Sequence, residues 1–588
     1  MLPEVTQFED TVTLVSDTGI QFMDFALRLD PRKEPAGEFA PMISGLICRL
    51  AYNEEKDFFF YEPEPEKVEK AKPAFSVDMK SSLDLLDGIW LPTPFFRFMP
   101  PHRFDEGPTN WSRMRLVKLA TPDIDGKTHR LTMAFDSRVM PKRDGTAYLA
   151  PNEEDISSGV SFKLATKASE TRWFLAQPWV NAWLLEVFNE GNAHRSRAEL
   201  DIDIRASYHL AHYLNLLSLL STPSAAQQST ARAKVEIPEL KVVANDSNGL
   251  VKPIPVDLVL DVGNSRTCGI LIENHGQAGS GLKQNYVLEL RDLITPEHTY
   301  NLPFESRVEF AQAYFGKDHC SVKSGRHDAF QWATIARVGN EASRLASRRR
   351  GTEGSTGLSS PKRYLWDENA YGHGWRFNCS YIKTDNEPYA TAAPFSHLIN
   401  ETGEALYSLE EDDRLPVFMP RYSRSSLMTF MLAEVLAHAL SQINSPAQRS
   451  RQGHTRVPRQ LNSITLTVPP GMPQAERSIL NERMLQAIGL VWKSLGWHAG
   501  EEDPHQDQAV TPRTPIPSIR VEWDEASCGQ LVYLYTEVNE NFAGHPEEFF
   551  DTIARPDKTD RQRITLATIH IGRGTRDRPR ILGMQKRA

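Results

Sequence analysis

The sequence predicts an α/β protein that is preceded by a β-rich region. Short apolar runs separated by turn residues dominate the first ~220 positions. Residues 223–255 are rich in Pro, Ser, Ala, Gln and Lys, which is typical of a linker. From residue 256 onward strand patterns alternate with helix patterns, which indicates a parallel sheet with crossover helices. We therefore expect a β-rich N-terminal domain (1–222), a linker (223–255), an α/β lobe (256–577) and an atypical basic tail (578–588).

The N-terminal region carries the strand signals. Residues 12–15 and 21–25 are apolar runs on either side of Asp17, Thr18 and Gly19, and this arrangement predicts a β-hairpin. Further strands are predicted at 45–52, 129–135 and 160–165.

Two histidines and three tryptophans precede the linker. His209 and His212 are three residues apart and would share a helix face, but no third ligand follows at matching spacing, so a structural role is favoured over a metal site. The tryptophans are also expected to pack in the core rather than to form a platform for a sugar or a base. They are Trp173, Trp179 and Trp183.

The elements of the α/β lobe follow from periodicity and capping. Apolar side chains at i+4 steps predict a helix over 426–443. Asp524 is a good N-cap for a helix that starts at Glu525 and runs to about residue 539. The other predicted elements are strands at 463–468, 519–523 and 564–571 and a helix at 474–492.

Charge and cysteine usage exclude several classes. The 588 residues include 67 Lys+Arg and 76 Asp+Glu, a net charge of −9, which argues against general nucleic-acid binding. The five cysteines form no CxxC pair, which argues against a structural zinc site and a disulfide framework. The start lacks a secretory signal, and no run of ~18 apolar residues predicts a membrane span. We expect a cytoplasmic protein, or one exported without a Sec-type signal.

The segment 256–273 has the strongest chemical signal. Two apolar strands flank a small polar turn, and Asp261 lies near the end of the first strand. Gly263 lets the backbone approach a ligand, and consecutive N–H groups in such a turn can hold phosphate oxygens. An ordinary hairpin explains this segment equally well, so both interpretations stay open here.

Several segments together resemble the superfamily of actin, DnaK-type chaperones and sugar kinases. The segment 256–273 is similar to its first phosphate motif, and 338–342, 360–365 and 466–477 resemble later motifs in the same order. The segment 524–530 resembles its connecting helix. The resemblance implies the first lobe of a ribonuclease-H-type ATPase with ATP and magnesium as cofactors.

The same resemblance implies roles for individual residues. Lys362 would stabilise the transferring phosphate, and Glu525 would orient metal-bound water. Asp261 would hold magnesium. The phosphate-binding residues would be Gly263, Asn264, Ser265, Thr267, Gly572, Gly574 and Thr575.

Most of the chain, from the N-terminus to about residue 577, also resembles the SrfB family of bacterial virulence-associated proteins. Residues 12–27 are similar to the start of that family, and 525–535 to its connecting helix. The resemblance implies an unidentified protein partner, from a host or from the same operon.

The second phosphate motif departs from the superfamily pattern. His570 stands where an aspartate is expected, and Arg573 where a glycine is expected. A neutral His supplies no hard anionic oxygen, so we expect impaired hydrolysis. The sequence 578–588 replaces an expected strand, which favours a shifted or truncated reading frame over a basic tail for an acidic partner. We expect the chain to be the N-terminal portion of a longer protein.

Three functions therefore remain. The leading hypothesis is a virulence-associated protein with a magnesium–ATP-binding lobe that is hydrolytically impaired. The alternative is a non-catalytic interaction or effector protein that keeps the fold without nucleotide turnover. A small-molecule kinase is a third possibility, without a recognisable sugar-binding signature.

Overall fold

The structure is a computed structural model, and it describes most of the chain. The described residues are 4–5, 11–42, 46–53, 57–61, 70–99, 103–141, 148–221, 234–245, 252–276, 284–316, 322–382, 384–498, 500–505, 514–554, 563–568 and 580–585. At 168–169, 221, 563–568 and 580–585 only the backbone is described.

The N-terminal region contains both strands and helices, so it is more helical than the sequence predicts. Its strands are β1 Thr11–Val15, β2 Ile20–Leu27, β3 Gly37–Pro41, β4 Ile47–Asn53, β5 Phe58–Tyr61, β6 Phe75–Val77, β7 Trp90–Pro92, β8 Phe95–Met99, β9 Arg103–Phe104, β10 Ser112–Lys118, β11 His129–Asp136, β12 Ser161–Leu164, β13 Leu220–Ser221, β14 Val235–Glu236 and β15 Glu239–Val243. Its helices are α1 Met79–Leu86, α2 Glu153–Ser158, α3 Ala168–Leu175, α4 Pro178–Gly191, α5 Arg197–Arg205 and α6 Tyr208–Leu217.

These strands form separate sheets. One has the order β1-β15-β12-β8-β9, a second has β2-β11-β10-β7, a third has β5-β4-β3-β6, and β13 pairs with β14. The three strands predicted at 45–52, 129–135 and 160–165 are present as β4, β11 and β12.

The predicted hairpin around Asp17 is wrong, because its two strands belong to different sheets. β1 pairs in parallel with β15, and β2 pairs antiparallel with β11. The turn residues bond to other segments: Asp17 N donates to Ser137 O at 2.9 Å, and Ser137 N donates to Gly19 O at 3.1 Å. The residues around Asp17 do form a turn, but this turn connects strands of two different sheets.

The predicted linker is partly built into the N-terminal sheet. Residues 222–233 and 246–251 lie outside the described residues. Between them, β15 lies between β1 and β12, and Leu240 on it is fully buried. This segment therefore contributes a strand to the packed region.

The C-terminal region contains the remaining elements. Its strands are β16 Ile254–Val262, β17 Arg266–Glu273, β18 Asn285–Val287, β19 Leu290–Arg291, β20 Thr299–Tyr300, β21 Phe304–Glu305, β22 Arg307–Phe310, β23 Ala336–Val338, β24 Gly357–Ser359, β25 Arg459–Thr467, β26 Ser518–Arg520, β27 Arg563–Thr568 and β28 Arg580–Gln585. Its helices are α7 Gly339–Arg348, α8 Ser426–Ile443, α9 Pro446–Gln452, α10 Gln474–Ser494, α11 Glu525–Thr536 and α12 Pro546–Ile553. Short 3₁₀ helices lie at Pro361–Tyr364, Phe395–His397, Leu406–Ser408 and Glu411–Asp413, and a π-helix at Glu537–Asn541.

One mixed sheet, which we call the central sheet, carries the strands β18-β17-β16-β25-β26 in that order, and β21 also pairs with β17. β16 and β17 form the predicted antiparallel hairpin. β25 runs parallel to β16, and β26 runs parallel to β25. The predicted helices before and after β25 are present as α8 and α10.

Helix α8 lies in the core. This 18-residue helix is long and apolar enough to cross a membrane. The sequence analysis expected no such segment. In the structure 94% of this stretch is buried against other parts of the protein, as in a core helix.

The two halves of the chain share one hydrophobic core, which includes Leu14 and Met23 as well as Leu258 and Met431. Polar contacts also join them. Asp24 accepts hydrogen bonds from the Arg291 guanidinium at 3.0 and 2.6 Å.

The last predicted strand pairs locally. β27 pairs antiparallel with β28 in a two-stranded sheet of its own, and therefore does not extend the central sheet. Part of the predicted basic tail is thus a strand. Residues 569–579, including the second phosphate motif, lie outside the described residues.

Candidate functional site

The turn between β16 and β17 is tight, and it requires glycine. The Gly263 N–H donates to the Arg266 carbonyl oxygen at 3.0 Å. A Cβ at position 263 would lie 2.5 Å from that same oxygen, closer than carbon and oxygen can approach without a backbone shift. The turn therefore presents backbone with no side chain at its first position.

Ser306, the residue that follows β21, stabilises this turn through hydrogen bonds. Its N–H donates to Ser265 O at 3.0 Å, and its hydroxyl donates to Gly263 O at 2.7 Å. Its Oγ also lies 2.9 Å from the Thr267 hydroxyl. Because both ends of the loop bond to the same residue, the turn has a fixed shape.

Asp261 lies at the carboxyl end of β16, on the exposed side of the hairpin. Its Oδ1 accepts a hydrogen bond from the Thr467 hydroxyl at 3.0 Å. Thr467 is the last residue of β25, which is parallel to β16. The carboxyl ends of two parallel strands therefore meet at this carboxylate.

Lys362 brings a distant segment to the same place. It lies on the 3₁₀ helix Pro361–Tyr364 and is buried. Its ammonium donates to Val262 O at 2.6 Å and lies 3.9 Å from Glu525 Oε1. The ammonium thus joins the end of β16 to the start of α11.

The start of α11 is fixed as the sequence predicts. Asp524 is the N-cap, and its carboxylate accepts hydrogen bonds from the Ser527 N–H and hydroxyl, both at 2.8 Å. The Glu525 N–H donates to Val468 O at 2.9 Å, which attaches the helix to the end of β25. Glu525 is therefore held at the same edge of the sheet as Asp261.

The structure brings together part of the predicted set. Asp261, Lys362 and Glu525 lie around the turn that contains Asn264 and Ser265. Thr267 pairs with Val262, so its side chain lies on the opposite face from Asp261, where it is buried against Ser306. The remaining predicted residues, Gly572, Gly574 and Thr575, lie outside the described residues.

Two cysteines flank the carboxylates of this site. Cys268 is the cross-strand partner of Asp261, and burial followed by the Asp261 charge raises its pKa. Burial, Asp524, Asp261 and Glu525 raise the pKa of the Cys528 thiol. Both thiols are therefore protonated at neutral pH.

The site is acidic overall, with three carboxylates and one ammonium. They belong to Asp261, Asp524, Glu525 and Lys362. Within the part of the chain that the structure describes, no group of three or more His, Cys, Asp or Glu side chains is arranged to hold a metal ion directly. A hard cation such as Mg²⁺ fits this site through its bound waters, because it keeps much of its hydration shell.

Both histidines of the predicted pair make hydrogen bonds with neighbouring side chains. His212 Nδ1 lies 2.9 Å from the Ser82 hydroxyl, and His209 Nε2 lies 2.8 Å from Asn181 Oδ1. Burial lowers the pKa of each histidine to about 4. Both rings are therefore neutral at physiological pH.

The sequence analysis missed Ser306 and gave no role to Thr467. Ser306 is separated from Thr267 by 39 residues and stands in no recognisable motif, so only the fold reveals it. Thr467 lies in the strand predicted at 463–468, but the sequence did not predict that this strand pairs with β16.

These features define a class: a mixed α/β protein whose candidate site lies where a hairpin turn, two parallel strands and a helix N-terminus meet. A family model described as virulence factor SrfB matches residues 1–579. The chain belongs to this family. No curated protein matches the chain at a significant level.

Proposed function

We propose that the site around Asp261 binds magnesium–ATP, with slow or no hydrolysis. The observation that carries the proposal is the position of Lys362, whose ammonium lies at the end of β16 and 3.9 Å from Glu525. Three segments that are remote in sequence thereby place one cation and two carboxylates beside a glycine turn. Such a set suits a polyphosphate accompanied by a divalent cation.

Each residue has a role in this proposal. The backbone N–H groups of the turn, with the side chains of Asn264 and Ser265, bind phosphate oxygens. The Lys362 ammonium neutralises phosphate charge, an electrostatic role that needs no proton transfer. Asp261 and Glu525 hold waters of the Mg²⁺ ion, which when bound neutralises further charge on the phosphates.

The topology of the central sheet supports this proposal. An antiparallel hairpin is followed by two parallel strands that are added on the same side of β16. This arrangement agrees with the ribonuclease-H-type lobe that the motif resemblance implies. In open α/β sheets ligands bind at the carboxyl ends of the strands, where Asp261 and Thr467 lie.

Calorimetry tests the proposal with a matched control. We expect measurable heat when magnesium–ATP is titrated into the chain, and about tenfold weaker binding for Asp261→Ala. Asp257→Ala is the control: Asp257 lies on the same strand and the same face, and accepts hydrogen bonds from Asn462 and Ser463 away from the turn. Equal, negligible heats in all three proteins would refute nucleotide binding. Equal binding by all three would refute this location.

An alternative is an interaction protein without nucleotide turnover. The exposed apolar side of α11 favours it, because Val532 and Tyr535 are each 66% exposed. In this alternative the SrfB family member acts in the cytoplasm, or after export, on a protein partner. Magnesium–ATP binding separates the two: binding that is lost in Lys362→Ala supports the nucleotide site, and the absence of binding supports the alternative.

A further inference from the structure

The segment 521–554, which contains α11, the π-helix and α12, is sparsely packed. Only four of its residues are buried, namely Asp524, Ala526, Gln530 and Phe549. Helix α8, by contrast, is buried over 94% of its length. The rest of the described chain therefore leaves much of α11 and α12 uncovered.

Helix α11 carries an apolar stripe on its exposed side. Leu531 and Tyr535 are four residues apart and Val532 and Tyr535 are three apart, so the three side chains are neighbours on one helix face. Val532 and Tyr535 are each 66% exposed, and Leu531 is 39% exposed. Trp523, just before the helix, and Tyr533 are exposed as well. Clustered exposed apolar side chains of this kind are typical of interaction sites.

The charges along this segment all have one sign. Residues 521–554 contain eight Asp and Glu and no Lys or Arg, in a chain whose net charge is −9. Glu522 and Glu525 lie at the start of α11, and Glu537 and Glu540 follow its end. The apolar stripe is therefore flanked by carboxylates at both ends.

This combination of charge and aromatic side chains selects the occupant. Carboxylates attract Lys and Arg, and the exposed tyrosine rings attract cations too. The same carboxylates repel anionic lipid and nucleic acid. They also repel a second copy of this chain that would present the same face. A basic segment of another protein is the occupant that fits both the stripe and its flanks.

We propose that the exposed side of α11 binds an amphipathic helix of a partner protein, with an apolar face and with Lys and Arg beside it. α11 has 12 residues and is about 18 Å long, so about three turns of a partner helix cover it. Apolar side chains of the partner at i, i+3, i+4 and i+7 pack against the stripe. This names the class of partner for the interaction role described above, and it rests on that role and not on nucleotide binding.

The test is calorimetry on the full chain with a basic amphipathic peptide. The probe has two repeats of Leu-Lys-Lys-Leu-Leu-Lys-Leu, an acetylated N-terminus and an amidated C-terminus. We expect saturable binding that weakens about tenfold when Val532→Ser and Tyr535→Ser are combined, because both side chains lie in the stripe. Glu540→Lys is expected to weaken it about threefold, as for an exposed ion pair.

A second exposed apolar residue beside acidic side chains provides the matched controls. Phe418 is 93% exposed and follows the acidic run 410–413 closely in sequence, but it lies outside the stripe. Phe418→Ser and Asp412→Lys are therefore expected to bind the peptide as the unchanged protein does. Asp261→Ala is also expected to bind it fully, so a failed nucleotide site and a failed peptide site give different results.

Two further peptides test the partner chemistry without any change to the protein. A peptide with Glu in place of Lys keeps the apolar face and is expected not to bind. A peptide with the same composition in scrambled order keeps the charge, loses the apolar face and is expected to bind about tenfold more weakly.

Several results would overturn the proposal. They are no binding of the basic peptide, equal binding of the scrambled peptide, or equal binding by the combined Val532→Ser and Tyr535→Ser variant. Sedimentation tests the remaining occupant: a dimer of the unchanged chain that dissociates in this combined variant would assign the face to a second copy and overturn the proposal too.

Discussion

The two faces of the central sheet differ sharply. On one face, the even-numbered side chains Val256, Leu258, Leu260 and Val262 are almost fully buried and share a core with α8 and α10. On the other, which we call the open face, Asp261 and Ile270 are exposed and Val259 and Cys268 are partly buried. The same strands thus carry the core on one side and the candidate site on the other.

The side chains that stabilise the central sheet are therefore different from those that form the candidate site. Strand side chains alternate between faces, so one substitution on β16 alters the core and its neighbour alters the site. The following predictions test this separation.

The largest effect is expected on the buried face. Leu258→Ala removes a fully buried side chain and is expected to lower the free energy of unfolding by about 3 kcal/mol. Val259→Ala, one residue later on the open face, is expected to cost about 1 kcal/mol. Urea unfolding of both variants measures the difference. Equal losses of unfolding free energy would show that the two faces contribute equally to stability at these positions.

The next effect concerns the turn. Gly263→Ala places a Cβ 2.5 Å from the Arg266 carbonyl oxygen, and we expect a loss of about 1–3 kcal/mol together with weaker magnesium–ATP binding. Ser265→Ala, at an exposed position in the same turn, is expected to change stability by less than about 0.5 kcal/mol. Thermal unfolding compares the two. A neutral Gly263→Ala would show that the turn adapts and is not fixed in shape.

A smaller effect is expected at Ser306. Ser306→Ala leaves Gly263 O without its side-chain donor, and a loss of about 1 kcal/mol follows. Ser359→Ala is the control, since the Ser359 hydroxyl accepts an exposed hydrogen bond from Arg307. Hydrogen exchange of the Gly263 and Arg266 amides is expected to accelerate in Ser306→Ala alone. Unchanged hydrogen exchange would show that Ser306 does not stabilise the turn.

The smallest effect is a difference in reaction rate rather than in stability. Cys268 and Cys528 are partly exposed, whereas Cys48 and Cys379 are buried. In a Cys320→Ser background, we expect a thiol reagent to modify the first pair before the second. Because burial and nearby carboxylates raise the pKa of both thiols, the rate is expected to rise about tenfold per pH unit above neutrality.

Asp261→Asn sharpens this measurement. Removing the charge lowers the pKa of Cys268 and Cys528, so both are expected to react faster at pH 8. Asp257→Asn, on the same face but further from the turn, is the control. Faster modification of Cys48 or Cys379 than of Cys268 would show that the open face is not the accessible one.

Local patterns predicted the elements of the site well. The hairpin at β16 and β17, the long helix α8 and the cap at Asp524 each follow from residues close in sequence. The face on which Thr267 lies was not predicted, because it depends on the register of the hairpin. Since Asp261 opposes Cys268 across the hairpin, Thr267 must point to the other face.

Long-range pairing was not predictable in the same way. The turn at Asp17 has the residues of a hairpin, but its partners Ser137 and Val243 are more than 100 residues away in the chain. β15 is a short alternating strand within a segment whose composition indicates a linker. In both cases the choice of partner depends on tertiary packing, which local patterns do not encode.

The pairing of β1 has a consequence for biosynthesis. This strand is made long before its partner β15, which ends at Val243. The Arg449 guanidinium, which donates to the Thr13 hydroxyl at 2.7 Å, comes 436 residues later. At about 5–20 residues per second, a ribosome needs about 20–90 s to deliver that arginine. During this interval the apolar strand lacks its native cover, so the native packing of β1 is completed late in synthesis.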